Sequence, residues 1–199
     1  MKAHDRTPIR TPVLIGSSLL LIGVAQITTI WALTKAIFPT VISSSTVEEV
    51  QPAKFSPQIY QLEIVNNQIR LIPKVVNTAA TSPKLALTEA LEKLLAQSSA
   101  LNPTSTIPAQ TRLLKLDVSK DGVYVDLSKE FARGGGSSSM IYRVAQVIYT
   151  ATSIDPQTPV FLSIEGRPLN DDYPLGGEGL TLEYPITRQQ FDREFLANY

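Results

Sequence analysis

The chain has 199 residues, 18 basic and 18 acidic side chains, one histidine and no cysteine. Zero formal net charge and the lack of any basic stripe exclude an ordinary nucleic-acid binder. Without cysteine there are no disulfides, thiolate zinc sites, iron–sulfur clusters or thiol nucleophiles. The single histidine is His4, so nothing after it can use imidazole for Ser-His-Asp hydrolysis, metal ligation or a pH switch.

In chain order, Lys2, Arg6 and Arg10 against Asp5 form a basic tail at 1–12. Residues 11–34 carry no charge, and Val13 to Leu33 as a helix would be ~31 Å long, matching a bilayer's hydrocarbon core. The segment 13–38 is therefore expected to be a single-pass transmembrane anchor. Basic flanks stay on the cytoplasmic side, which places the C-terminal part on the extracytoplasmic side of the membrane. A cleaved signal peptide fits less well, because its apolar region would be shorter and end in a small-x-small site. Residues 39–54, proline-flanked and serine-rich, read as a linker of up to about 55 Å when extended. The folded domain is then expected over 55–199.

Tyr60, Leu62 and Ile64 alternate with Gln61, Glu63 and Val65, as in a half-buried strand. Asn66-Asn67 is a turn, and Ile69 and Leu71 resume the alternation, giving a β-hairpin. Ser82 caps a helix that has Pro83 at its first position and ends near Gln97 to Ser99. Its apolar stripe is Leu87, Ala90, Leu91, Leu94 and Leu95. After a loop with Pro103 and Pro108, Leu114, Leu116 and Val118 form a second hairpin with Val123, Val125 and Leu127, turning at Asp121-Gly122. ARGGGSSS leads through capping serines into a helix over about 139–153, with Met140, Val144, Val147, Ile148 and Ala151 on one face. Val160, Leu162 and Ile164 make a strand, with Glu165-Gly166 as its turn. Thr187 and Gln190 form a capping box for a short helix in which Phe191 and Phe195 pair. The order β-β-α-β-β-α-β predicts an α+β, two-layer domain with two helices on one face of a sheet.

The stretch from Leu113 to Leu169 resembles the GerMN domain, also called the sporulation and spore germination domain. The matching phrases are Val125-Asp126-Leu127-Ser128, Phe131, the Gly/Ser-rich helix entry, Ala145-Gln146-Val147, Tyr149-Thr150-Ala151-Thr152, and the strand running into Gly166. The upstream helix LTEALEKLLAQ and the Ile107-Pro108 loop also match, so the resemblance covers roughly Phe55 to Glu183. It implies a small α+β fold at the cell envelope, with relatives that resemble ring-building modules, and carries no catalytic residues. This chain differs from some relatives in its single copy, its spanning helix and its lack of a lipoprotein cysteine.

The candidate sites are weak individually. Arg133-Gly134-Gly135-Gly136-Ser137-Ser138-Ser139 opens a helix and could meet an anion, but no Lys-Ser/Thr follows the glycines, so it is no Walker loop. Asp171, Asp172 and Glu178 flank a Gly-containing loop without EF-hand spacing and read as surface. Glu63, Glu165, Glu178 and Glu183 could supply a hydrolase pair only if folding brought two together. Tyr142 and Tyr149, two helical turns apart on one face, read first as covering the core's edge with their hydroxyls in water, and otherwise as a candidate partner surface. The sequence thus points to a membrane-anchored, non-catalytic, extracytoplasmic interaction module. No cofactor or metal is expected, and the partner is a protein or a second copy. The alternative is a cell-wall glycan-binding module.

Overall fold

The computed structural model describes residues 55–98, 102–176 and 179–197. The expected tail, anchor and linker (1–54), Ser99 and Glu178 lie outside the described residues. Among those described, no helix is long and apolar enough to cross a membrane.

Strands β1 (Gln58–Val65) and β2 (Gln68–Val75) pair antiparallel, with Leu62 opposite Leu71 and Ile64 opposite Ile69. Asn66 and Asn67 both take positive φ, 51° and 63°, as a two-residue hairpin turn matched to strand twist requires. Tyr60 and Leu62 point inward as expected. Ile64 does not: it is 75% exposed, because the hairpin runs past the layer that covers its root.

Helix α1 (Pro83–Ala96) starts where the sequence indicates. The Ser82 hydroxyl accepts the Leu85 N–H at 3.3 Å, and Pro83 occupies a position that needs no N–H partner. Its stripe, Ala86 included, is buried, each leucine contributing about 1.5–3 kcal/mol of transfer free energy.

Strands β3 (Leu113–Ser119) and β4 (Gly122–Leu127) follow. Ser119 pairs with Gly122, so the turn residues are Lys120 and Asp121 rather than Asp121 and Gly122. Gly122, at φ 148°, opens β4, where a Cβ would sit 2.4 Å from the Pro159 carbonyl oxygen. Close backbone approach, not the turn, requires this glycine.

A 3₁₀ turn, Lys129–Ala132, buries Phe131 before helix α2 (Ser137–Ala151). The helix starts two residues earlier than expected. Gly136 is its N-cap, and the three serines lie in its first turn instead of capping it. Strand β5 (Val160–Ile164) pairs parallel to β4, a connection that α2 makes sterically possible. The short β6 (Arg167–Pro168) closes on β5. Helix α3 (Arg188–Phe191) carries the expected capping box of Thr187 and Gln190 and continues as a π turn over Asp192–Leu196. The Phe191 and Phe195 ring centroids are 5.0 Å apart.

The domain is α+β, but one expectation is corrected. The strands form two sheets, β1-β2 and β3-β4-β5-β6, rather than one sheet under two helices. The reason lies in what the inner edge of β1 meets. Tyr60 N–H donates to the Thr150 hydroxyl at 3.1 Å, and Leu62 N–H donates to the Thr104 carbonyl at 2.7 Å. A helix side chain and a loop carbonyl take the bonds that another strand would have taken.

Helix α2 is enclosed on nearly every side. Val144, Val147, Ile148 and Ala151 join α1 and the inner face of the larger sheet (Leu116, Val123, Val125, Leu127, Val160 and Leu162) in one core. The side of α2 facing β1 and the 102–108 loop is polar: Arg143, Gln146 and Thr150, at i, i+3 and i+7. Gln146 is fully buried. Its Nε2 donates to the carbonyls of Tyr60 (2.9 Å) and Thr104 (3.2 Å), and its Oε1 accepts from Thr106 N–H (3.1 Å) and the Ser105 hydroxyl (3.4 Å). Gln146→Leu, close in volume, strands buried carbonyls and an amide. It should lower the unfolding free energy by about 3 kcal/mol in urea titration. A loss under about 1 kcal/mol would show that these groups re-pair elsewhere.

Candidate functional site

Two exposed surfaces stand out once the core is assigned. The first is the β1–β2 hairpin. Among the described residues β2 pairs only with β1, so its outer edge is open. At the tip, Ile64 and Ile69 face each other across the strands at 75% and 42% exposure, and Val75 is exposed near the root. Single exposed apolar residues are ordinary. A cross-strand pair on a projecting hairpin, beside an open edge, is a surface shaped for a neighbour. Arg70, Lys74 and Pro73 along β2 are the kind of residues that keep such an edge from indiscriminate pairing.

The second surface is the outer face of the larger sheet. Tyr124 of β4 lies opposite Phe161 of β5, and the rings stack with centroids 4.2 Å apart and planes 2° from parallel. Tyr184 adds an edge-on ring at 5.2 Å from Phe161. In the next row Lys115 pairs with Asp126, and Asp126 with Ser163. Sequence reasoning assigned these residues no role. The available signal was aromatic residues at outward positions of two strands.

The candidate partner tyrosines are placed differently. Tyr142 is 5% exposed, inside the domain. Tyr149 is half-buried and holds the C-terminal segment. Its hydroxyl donates to Asp192 Oδ1 at 2.5 Å, its ring meets Tyr60 edge-on at 5.1 Å, and the Arg188 guanidinium lies 4.5 Å above it. Arg188 also donates to the Tyr149 carbonyl and the Thr152 hydroxyl, both at 2.5 Å. Two tyrosines on one helical face mark a solvent surface only if nothing packs there, and here the segment carrying Arg188 and Asp192 packs on Tyr149 while Tyr142 is buried.

The Gly-rich entry to α2 is organised by Arg143, which is 2% exposed. Its guanidinium donates to the carbonyls of Phe131 (2.8 Å), Arg133 (3.1 Å) and Gly134 (2.8 Å) and to the Ser139 hydroxyl (3.3 Å). Burial lowers its pKa. A Cβ on Gly135 would lie 2.6 Å from Arg143 Nη2, so the glycine admits the guanidinium. The loop carbonyls thus turn toward a cation in the helix rather than leaving its N–H groups to meet an anion.

Of the candidate glutamates, Glu63, Glu165 and Glu183 lie on separate elements. Glu63 lies on β1 opposite Arg70. Glu165 accepts the Lys129 N–H in the β5–β6 turn, and Glu183 accepts from Gln190 Nε2. Asp171 and Asp172 line an open cleft of about 870 Å³ together with Glu183 and Glu194. Among the described residues no three acidic or histidine side chains gather as a metal site.

The fold is α+β, organised around a central helix whose side toward β1 is polar and buried. The family model described as Germane, sporulation and spore germination, matches residues 58–170, more than half of the chain. The protein belongs to that family. Its structure is similar to the first GerMN domain of the sporulation protein GerM from Bacillus subtilis, with a TM-score of 0.51 and 23% identity over 67% of this chain and 98% of that one. It is also similar to the tandem GerMN domains of the same protein, at 0.47 and 22%, covering 67% of this chain and 46% of that one. No curated protein matches the chain.

Tyr149 provides a pH test. Burial, then the Asp192 bond and charge, raise its hydroxyl pKa above the ordinary 10.0. A raised folded value favours the protonated form, so its stabilisation is complete below pH 10 and is lost as the pH rises beyond it, where only the unfolded chain ionises this group. Tyr149→Phe should cost about 1–2 kcal/mol near neutrality. Above pH 10 its unfolding free energy should fall less steeply than that of the parent chain. Parallel slopes would remove the assignment.

Proposed function

We propose that this protein is a membrane-anchored, non-catalytic module of the bacterial cell envelope, whose extracytoplasmic GerMN domain holds a protein neighbour through the β1–β2 hairpin. The observation that carries the reading is the exposed Ile64–Ile69 pair beside the open edge of β2. The uncharged run at 11–34 and its basic flank support the anchor and its orientation. Family membership supports an envelope setting, and the relative named for sporulation adds spore formation or germination as a context to test. The absence of imidazole and thiol after His4 argues against hydrolysis through a conventionally activated nucleophile.

A second copy of the chain and a different protein both fit this hairpin. Tethering raises the effective concentration of neighbouring copies without adding any contact, so weak self-association would strengthen on the membrane. A photo-crosslinker at Gln68, in full-length protein in its native membrane, should yield adducts that disappear in Ile64→Lys/Ile69→Lys. Homodimer bands assign a second copy, and larger adducts assign a different protein. No adduct from Gln68 or from positions along β2 would overturn the proposal.

The orientation has its own test. Cysteines placed at Ser44 and at Lys120, an exposed turn residue, should react with a membrane-impermeant thiol reagent on cells whose inner membrane is intact. Protection of both until that membrane is opened would reverse the topology.

A further inference from the structure

We infer that the outer face of the four-stranded sheet is a carbohydrate-binding site, taking an uncharged pyranose ring on Tyr124 and Tyr184 with its hydroxyls directed to Asp126 and Lys115. This goes beyond the hairpin reading and does not rest on it.

Strand register builds the site. Asp117, Tyr124 and Phe161 fall in one row across β3, β4 and β5. Tyr184 extends the row because Ile186 bridges to Val160 at the sheet's edge. Lys115, Asp126 and Ser163 form the adjacent row. Between the rows lies a cleft of about 210 Å³, lined by Lys115, Tyr124, Asp126, Phe161, Ser163 and Tyr184. That volume is on the order of a single hexose, below the usual range for drug-sized ligands. Phe161 stacks on Tyr124 and meets Tyr184 edge-on, and Tyr184 is 43% exposed, so the two tyrosines bring hydroxyl-bearing rings to the cleft.

The polar groups are set as a recognition site needs them. Asp126 Oδ1 accepts from the Ser163 hydroxyl and the Gly166 N–H, each at 2.9 Å, which fixes the carboxylate. No hydrogen bond to its other oxygen forms within the described residues, so that oxygen is an oriented acceptor. Lys115 supplies donors on the same row. The Tyr184 hydroxyl is raised above its ordinary pKa by burial and by the nearby Tyr124 and Asp126, and so remains a donor.

This combination selects among ligand classes. A sugar ring has a C–H face, which suits the electron-rich face of an aromatic ring, and a rim of hydroxyls that both donate and accept. A wholly apolar ligand would desolvate Asp126 and Lys115 without pairing them. A phosphate backbone would meet two carboxylates. Charge complementarity favours a neutral ligand, because Lys84 bonds Asp117 at 3.2 Å and one lysine, Lys115, stands beside one carboxylate, Asp126, on the neighbouring strand.

The test titrates full-length protein with two neutral probes, chitotetraose and cellotetraose, read by saturation-transfer NMR and calorimetry. Saturable binding of at least one is expected, with saturation strongest on the ring C–H protons. Tyr124→Leu and Tyr184→Ala should each weaken it about tenfold, as removal of an aromatic anchor does. Urea midpoints identify any variant that has lost its fold. Asp126→Asn, which keeps the shape, should weaken binding several-fold. Ile69→Lys on the hairpin should leave it unchanged, which separates failure here from failure of the hairpin reading. No saturable binding of either probe, or parental affinity in both folded tyrosine variants, would overturn the site. So would a photo-crosslinker at Tyr184 that captures a protein neighbour while neither sugar binds.

Discussion

The structure depends on the four hydrogen bonds of one fully buried amide. Gln146 joins helix α2 to the β1 carbonyl of Tyr60 and to both ends of the 104–106 loop segment. No ladder links the two sheets, so the hairpin holds its place through α2, this loop, the end of α1 at Gln97 and Arg188. A buried amide with both ends paired adds stability only modestly, but a hairpin shifted along the helix would leave several backbone groups without partners. The glutamine therefore acts mainly as a register pin.

The same polar side of α2 continues in both directions. Arg143, one turn before Gln146, gathers the carbonyls of the loop that leads into the helix. Thr150, one turn after it, accepts the Tyr60 N–H, and next to it Tyr149 and Arg188 fasten the C-terminal segment. One helix thus anchors four irregular or peripheral pieces with side chains of three chemistries. The hairpin and the two loops contribute backbone groups that would otherwise lack partners, and the C-terminal segment contributes the Asp192 and Arg188 side chains. Among the surfaces left exposed after this internal pairing, the hairpin tip and the outer sheet face gather apolar or aromatic side chains side by side, which is why these carry the functional proposals.

Much of the fold was legible in the residues. The Ser82-Pro83 start of α1, its leucine stripe, the Asn66-Asn67 turn and the Thr187–Gln190 capping box all appear as local chemistry requires. Local signals succeed because caps and turns are satisfied within a few residues. They erred by small steps at Gly122 and at the start of α2, where glycines serve packing and capping rather than the turn or flexible loop they suggested. Of the candidate site, the hairpin itself was readable, but the exposure of Ile64 was not. Alternation says which side of a strand a residue occupies, not how far the covering layer extends.

The sequence by itself determined the element order, the α+β class, the family, and the exclusion of imidazole and thiol chemistry from everything after His4. Those follow from composition and from contacts short along the chain. Only the tertiary structure decided that the strands split into two sheets. It also enclosed Tyr142 and Tyr149, and brought Tyr124, Phe161 and Tyr184 into one row. Each of these depends on residues distant along the chain meeting, such as Tyr60 with Thr150 or Phe161 with Tyr124. No local periodicity encodes such meetings. The packing of α2 fixes them, because its buried polar groups had to find partners wherever the rest of the chain could supply them.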